Sequence, residues 1–101
     1  MIQITIITTD GITAVKIAEF LAAENLVINV KLIGKVQQCS KSETGVIMEN
    51  KFMLTAITKG TLFSMIDKTL KVTYPNEQIE YYAMPIIFVD WEKLEKLVSE
   101  I

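Results

Sequence analysis

The sequence predicts an α+β fold with the element order β-α-β-β-α-β, followed by a C-terminal helix. Four segments alternate between apolar and polar residues or are apolar throughout, as strands do, and three segments repeat their apolar residues at helical spacing. Short polar breaks containing glycine or proline separate these segments. The chain of 101 residues has the length of one ordinary domain, so we predict a single domain over residues 1–101.

The first strand and the first helix occupy the N-terminal part of the chain. Residues 2–7 alternate between isoleucine and polar side chains over most of their length, which is typical of a strand. Asp10 can accept hydrogen bonds from the free amides at the start of a helix. After this residue we predict an amphipathic helix of about 13 residues that ends near Asn25. Its apolar stripe consists of Ala14, Ile17, Ala18 and Leu21.

Two long strands joined by a short polar connection are predicted in the middle of the chain. The first runs from Val27 to about Cys39, and the polar segment SKSETG that follows has the composition of a hairpin connection. The second strand covers residues 46–58. The residues expected on one face of the first of these strands are Ile28, Val30, Leu32 and Val36.

The second helix and the C-terminal helix are each predicted from one apolar stripe. The stripe of the second helix is Leu62, Ile66 and Leu70. Pro75 ends this helix, because the residue before a proline is disfavoured in helical geometry. Asp90 can cap the C-terminal helix. The apolar side of that helix consists of Trp91, Leu94, Val98 and Ile101.

This order of elements is the ferredoxin-like arrangement, in which both helices cover one face of an antiparallel sheet. The last strand, residues 79–89, is apolar on both faces apart from Glu80, although a monomer should have polar side chains on its open face. Leaving apolar surface in water costs roughly 25 cal/mol per Å². Pro85 cannot donate a ladder hydrogen bond, which predicts an edge or a bend. We therefore predict self-association, with the distal half of this strand and the long hairpin pairing with a neighbouring copy.

The alternative is a monomer in which the C-terminal helix alone covers part of an open sheet. The apolar residues on both faces of the last strand favour the oligomer.

Composition speaks against several classes of function. A net charge of −2 favours neither nucleic acid nor an anionic membrane surface, and the apolar runs are much shorter than the roughly 20 residues of a membrane-spanning helix. The N-terminus lacks the features of a signal peptide, and the single cysteine cannot form an intramolecular disulfide, so we predict a cytoplasmic protein. The sequence has no histidine, which rules out Ser-His-Asp and Cys-His catalysis. We expect a protein that is not an enzyme.

The whole chain resembles the CutA family of divalent-cation-tolerance proteins. The segment ITIITT is similar to the family's first strand, IAEFLAAENL to its first helix and LIGKV to its Ile-Pro-Gly-Val segment. The resemblance implies a ferredoxin-like homotrimer with a strand-mediated core. The segment YPNEQIEYYAMPI carries the most specific match, with the shared residues Pro75, Glu77, Glu80, Ala83, Pro85 and Ile86.

The sequence departs from this family at several polar positions. The family's cysteine is absent from LVINV, and its Tyr-x-Trp pair is replaced within QCSKS. Its lysine before a Thr-Thr pair falls on Ile57, its histidine on Tyr74, the tyrosine after that on Asn76 and its first signature proline on Ile79. These departures indicate a divergent member that keeps the scaffold and has a weak or missing metal site.

The candidate functional residues form two sets. The resemblance and the expected position of a subunit cleft predict a ligand-facing set. For a metal, the resemblance implies a divalent ion such as copper, and Cys39 with Met48 or Met53 would hold Cu(I) weakly through sulfur. The favoured interpretation of Cys39 is an ordinary, partly buried strand residue. The ligand-facing set is Thr58, Tyr74, Glu77, Glu80 and Tyr81.

Two other functions stay open at this point. The first is a nucleotide-sensing signalling trimer of the PII kind, which would also be ferredoxin-like. The short connection SKSETG and the few basic residues speak against it. The second is a trimer that binds a protein partner through its C-terminal helix.

Overall fold

The chain folds into a four-stranded antiparallel sheet with α1 and α2 packed on one face. The computed structural model describes residues 1–75, 79–87 and 90–101. The strand order β2-β3-β1-β4, with antiparallel neighbours throughout, is the ferredoxin-like order, so the predicted fold class is confirmed. The elements are β1 (Ile2–Thr8), α1 (Gly11–Ala23), β2 (Ile28–Ser42), β3 (Gly45–Thr58), α2 (Phe63–Thr73), β4 (Glu80–Pro85) and α3 (Trp91–Val98).

Helix α1 begins and ends with local hydrogen bonds that its sequence supplies. The carboxylate of Asp10 accepts from the Thr13 amide at 2.7 Å and from the Thr13 hydroxyl at 3.0 Å. These donors hold the pKa of Asp10 below its usual value. The helix ends before Asn25, which adopts a left-handed φ of 56°, and the Leu26 amide then donates to the Leu21 carbonyl at 3.0 Å. The predicted cap and the predicted boundary are confirmed.

The hydrophobic core lies between the sheet and these two helices. The predicted stripe of α1 is buried at every position, and so are Ile66 and Leu70 of the α2 stripe. Strands β1 and β3 supply the opposing layer, because every second residue of each strand faces the helices. The fully buried apolar side chains at the centre are Ile4, Ile6, Ile17, Leu21, Leu54, Ile66 and Leu70.

Strands β2 and β3 extend beyond the rest of the sheet. Strand β1 ends at Thr8, which pairs with Phe52, so residues 36–51 pair only with each other. We call this two-stranded hairpin the arm (residues 36–51). Its turn has two residues, and Gly45 follows it with a φ of 130°, which favours glycine. The arm makes β2 longer than the sequence predicts.

Strand β2 does not keep the single alternating face that its sequence predicts. Its pairing with β3 shifts register between Ile28 and Lys31 and again between Leu32 and Gly34. Leu32 consequently pairs with Leu54, whereas Val36 pairs with Lys51, three residues away along β3. The prediction that Leu32 and Val36 share a face is therefore wrong. The physical reason is that a bulge adds one residue to a strand and reverses the alternation after it.

Strand β4 is shorter than predicted, because it ends at Pro85, where the sequence indicates an edge or a bend. The predicted strand continued to Val89, and residues 88 and 89 lie outside the described part. Tyr81 and Ala83 pack against the core, whereas Tyr82 and Met84 lie half-exposed on the other face. Both faces of β4 are therefore apolar, as predicted. Pairing beyond the strand's own sheet stays a prediction.

The segment that follows α3 contacts the loop after β3. The Lys59 ammonium donates a hydrogen bond of 2.5 Å to the Ile101 carbonyl. The Leu94 amide donates to the Asp90 carbonyl at 3.2 Å, which places Asp90 at the start of the helix, as predicted. Trp91 is half-exposed. Within the described ranges, no helix combines the length and the apolar character needed to cross a membrane.

The core assignment predicts the effect of truncating α1. We expect Leu21→Ala to lower the free energy of unfolding by about 2–5 kcal/mol, because it leaves a cavity at a fully buried site. Urea denaturation at one fixed protein concentration measures this change. The control is Ile12→Ala on the same helix, where the side chain is 71% exposed and the change should stay within about 0.5 kcal/mol. Equal effects of the two substitutions would contradict the assignment.

Candidate functional site

A pocket of about 360 Å³ lies between the C-terminal end of α2 and the start of β4. We call it the α2–β4 pocket. Tyr74 and Tyr81, two of the predicted ligand-facing residues, both line it. The structure therefore brings these two side chains together within one chain. The described lining consists of Leu70, Lys71, Tyr74, Pro75, Ile79 and Tyr81.

The local sequence explains why these residues meet. Helix α2 ends at Thr73, and the Tyr74 amide still donates to the Leu70 carbonyl at 2.9 Å, which keeps Tyr74 beside the last turn. Pro75 then disfavours a further helical turn. On β4, Tyr81 pairs with the fully buried Ile6 and lies on the helix-covered face.

A carboxylate of α2 links the two elements. The Tyr81 hydroxyl donates a short hydrogen bond to Asp67 Oδ1, and the Lys71 ammonium lies 3.3 Å from the same oxygen and 3.4 Å from Oδ2. Burial, followed by the hydrogen bond to Asp67, raises the pKa of Tyr81 to about 12. The hydrogen bond from Tyr81, and then the interactions with Lys71, lower the pKa of Asp67. At neutral pH the Tyr81 phenol that lines the pocket is therefore neutral. The Asp67 carboxylate, which lies behind the described lining, pairs with Lys71.

Glu80 lies on the opposite face of β4 from Tyr81, because neighbouring residues of a strand alternate. It is exposed, and its Oε2 accepts a hydrogen bond of 3.5 Å from Gln38 Nε2 on the arm. This contact spans the end of β1 and connects the arm to β4. Glu80 is thus a residue of the arm junction and does not line the α2–β4 pocket.

Thr58 lies apart from the two tyrosines in a single chain. It is fully buried, and its hydroxyl donates to the Leu26 carbonyl at 2.6 Å. Its partner on β1 is Ile2, four residues from Ile6, which corresponds to roughly 13 Å at about 3.3 Å per residue. Glu77 falls outside the described residues. The cleft between subunits to which both were assigned stays a prediction.

The candidate metal ligands do not form a polydentate set within one chain. Among the residues that the structure describes, no group of three or more histidine, cysteine, aspartate or glutamate side chains could hold a metal ion. Cys39 is exposed on the arm and pairs with Met48, whereas Met53 pairs with Gly34 nearer the sheet. Cys39 and Met48 offer at most two soft ligands for Cu(I), on a hairpin that leaves them open to water. The described residues of one chain therefore do not form a closed site for the metal that the resemblance implies.

Sequence reasoning missed three residues with strong local interactions. Asp67 and Lys71 were not among the predicted site residues, although their i, i+4 spacing is a signal of an ion pair. Lys51 gave no signal. It is 8% exposed at the base of the arm, and its ammonium lies 3.4 Å from Glu49 Oε2. Only the register of β2 and β3 reveals that this charge is covered.

The structure has a second notable surface, which is apolar and exposed. The edges of the sheet are β2 and β4, and large apolar side chains lie exposed near both edges and along the arm. Ile87, just after β4, is 97% exposed. The largest such side chains on these elements are Leu32, Ile33, Val46, Ile47, Met48, Tyr82, Met84 and Ile87.

Several solved structures of CutA proteins share this fold. A divalent cation tolerance protein (Cut A1) from Thermus thermophilus superposes with a TM-score of 0.84 at 22% identity, covering 99% of this chain and 98% of that one. CutA1 from Oryza sativa gives 0.85 at 18% identity, with 98% and 91% covered, and CutA from Synechococcus elongatus gives 0.82 at 12% identity, with 97% and 86% covered. Neither a protein-family model nor a curated protein matches the sequence.

These likenesses establish the fold of the chain. The class is that of small α+β proteins with a ferredoxin-like sheet. Within that class the fold is the one seen in the CutA1 structures over nearly the whole of both chains. The fold that the sequence resemblance implied is confirmed.

The Tyr81–Asp67 hydrogen bond predicts a specific alkaline response. The pKa of Tyr81 is raised above that of an unfolded tyrosine, so its contribution to stability is complete below pH 10 and is lost as the pH rises towards 12. We expect Tyr81→Phe to be less stable than the wild type at neutral pH and to lose less stability over that alkaline range. Chemical denaturation at several pH values measures both effects.

Tyr82→Phe is the control for this substitution, because Tyr82 lies half-exposed on the other face of the same strand. An absorbance titration of the tyrosines should show one group ionising late in the wild type and in Tyr82→Phe, but none in Tyr81→Phe. A late titration that survives in Tyr81→Phe would refute the assignment.

Proposed function

We propose that this chain is a divergent CutA-like protein that forms a homotrimer and takes part in divalent-cation tolerance without being an enzyme. The observation that carries the proposal is the arm, which leaves the sheet with unpaired edges and exposed apolar side chains. The fold shared with the CutA1 structures supports it. A cytoplasmic location belongs to the same proposal and rests on the single cysteine.

The exposed edge and apolar side chains of the arm favour contact with a second chain. An isolated two-stranded hairpin is marginally stable in water, and this one has 16 residues in its two strands and turn beyond the end of β1. Val46, Ile47 and Met48 are exposed along it. Such an edge invites pairing with another strand. Contact with a second chain would cover these side chains and stabilise the hairpin.

Strand β4 is the matching surface on the neighbouring copy. It is the other edge strand of the sheet, and Tyr82, Met84 and Ile87 give it and the segment after it an apolar, exposed face. An interface between the arm of one copy and β4 of the next is heterologous, and such interfaces close into rings when the rotation permits. A ring of three copies would pair both edges of every sheet.

The predicted ligand-facing set belongs to this assembly. The Gln38–Glu80 hydrogen bond places Glu80 at the junction of the arm and β4, where we propose that the neighbour approaches. Tyr74 and Tyr81 line the α2–β4 pocket of the same chain. We propose a cleft between subunits near this junction as the ligand site of the trimer, with Thr58 and Glu77 retained as predicted members.

The role in divalent-cation tolerance is proposed on the name of the Thermus relative and on the shared fold. The donor set of one chain does not fit a tight copper site, so we propose that any metal site is weak or degenerate. Cys39 and Glu80 lie exposed on the elements proposed to form subunit contacts, and a three-fold axis would gather three copies of each.

The nucleotide-sensing alternative has less support. The turn between β2 and β3 has two residues, which is far shorter than a signalling loop. The CutA likenesses favour the other proposal. A protein partner at α3 is favoured by the half-exposed Trp91, and we propose this contact as an additional role of the trimer.

The arm makes the oligomeric state testable by one substitution. We expect Ile47→Lys to convert a trimer largely into monomers, because it places a charge in the proposed apolar contact. Native mass spectrometry and light scattering report the subunit count. The matched control is Val72→Lys on α2, a 79% exposed position that belongs to neither the arm nor β4, which should stay trimeric. A monomeric wild type at micromolar concentration would refute the proposed assembly.

The weak metal site makes a second prediction. We expect the protein, purified without added metal, to carry well under one copper ion per chain, and added Cu²⁺ or Zn²⁺ to raise the thermal midpoint only at concentrations far above that of the protein. Elemental analysis and thermal denaturation measure the two quantities. Cys39→Ser should change neither result substantially. Stoichiometric copper that is lost in Cys39→Ser would contradict the weak-site proposal.

A further inference from the structure

We propose that the α2–β4 pocket binds a small molecule with an apolar body and a single negative charge, such as an aromatic carboxylate. The anionic group would contact the Lys71 ammonium, and the body would lie against the apolar lining. The described lining of the pocket comes from a single chain, and the proposal needs no metal.

The apolar part of the pocket is formed by side chains of α2 and of the segments after it. Leu70, which is fully buried, lines it together with Pro75 and Ile79. The rings of Tyr74 and Tyr81 offer flat surfaces for a second ring. A volume of about 360 Å³ lies at the lower end of the range for ligand pockets, so the ligand must be small.

The polar part of the pocket selects the charge of the ligand. Lys71 is the one charged residue in the described lining, and its side chain is 71% exposed. An ammonium has three N–H donors and no acceptor, so Lys71 can contact Asp67 and still donate to a ligand. A ligand oxygen with a negative charge makes the strongest such hydrogen bond.

Asp67 excludes the other charge types. Its carboxylate already interacts with the Tyr81 hydroxyl and the Lys71 ammonium, and a cationic ligand would meet the Lys71 charge before it reached Asp67. A ligand with several negative charges would be repelled by Asp67, with only Lys71 to compensate. One negative charge is therefore the best match.

Tyr81 acts as a positioning residue in this site. Its hydroxyl is held by Asp67, and Asp67 in turn lies next to Lys71, one helical turn away on α2. The aromatic ring that lines the pocket and the ammonium that would bind the anion are thus linked through one carboxylate.

The test uses the full isotope-labelled chain and three probes of one shape: phenylacetate, phenylacetamide and benzylamine. Amide chemical shifts in NMR report both the site and the affinity. We expect phenylacetate to cause saturable shifts at Leu70, Lys71, Ile79 and Tyr81, phenylacetamide to bind more weakly and benzylamine more weakly still.

Three variants separate the pocket from general surface binding. Lys71→Gln should weaken phenylacetate about threefold to fivefold and leave phenylacetamide unchanged, the modest size reflecting an exposed ion pair. Lys68→Gln, on the same helix but outside the lining, should change neither. Ile79→Phe should weaken all three probes, because the larger ring occupies the pocket.

The proposal is overturned if phenylacetate fails to shift these amides, if all three probes bind equally there, or if Lys71→Gln leaves the affinity unchanged. Shifts confined to Ile12 and Val15, at the apolar groove beside Phe52, would also overturn it. The subunit count is measured separately, so failure here leaves the proposed trimer untouched, and a monomer that binds phenylacetate would support the site alone.

Discussion

The pairing of β1 with both β3 and β4 is the interaction on which the rest of the structure depends. It puts Ile4 and Ile6 at the centre of the sheet, where α1 and α2 cover them. The same register sets Tyr81 opposite Ile6, so the tyrosine faces α2 and reaches Asp67. Because β1 ends at Thr8, the two longer strands must continue alone as the arm. Core, pocket and assembly surface thus follow from the length and register of one strand.

Elements whose hydrophobic period is unbroken were predicted correctly from the sequence. The faces of a strand were predicted wrongly where a bulge interrupts that period. The stripe of α1 and the cap at Asp10 were correct, because helical spacing and a capping carboxylate are local signals. The predicted faces of β2 were wrong, because its two register shifts depend on the partner strand and leave little local trace in the sequence. For the same reason, the sequence grouped Glu80 and Thr58 with Tyr74 and Tyr81. Within one chain the two tyrosines line one pocket, whereas Glu80 and Thr58 lie elsewhere. Those separations depend on strand faces and on register across the sheet.

The apolar composition of the chain is only partly used by its own core. Half of the residues are hydrophobic, yet the arm and β4 keep large apolar side chains in water. A polar residue at each of these positions would preserve the fold of one chain, since none of them contributes to the buried cluster. We propose that contacts with other chains explain their presence. This is why the proposed trimer rests on the arm and β4 and not on the core.

The two candidate sites obey different physical requirements. The described lining of the α2–β4 pocket, which includes its apolar side chains and Lys71, comes from one chain. A metal site has the opposite requirement, because the described residues of one chain bring no three suitable ligands together. A polydentate site built from these residues must draw its ligands from more than one copy. A role in cation tolerance that relied on direct binding by these described residues would then depend on the proposed assembly.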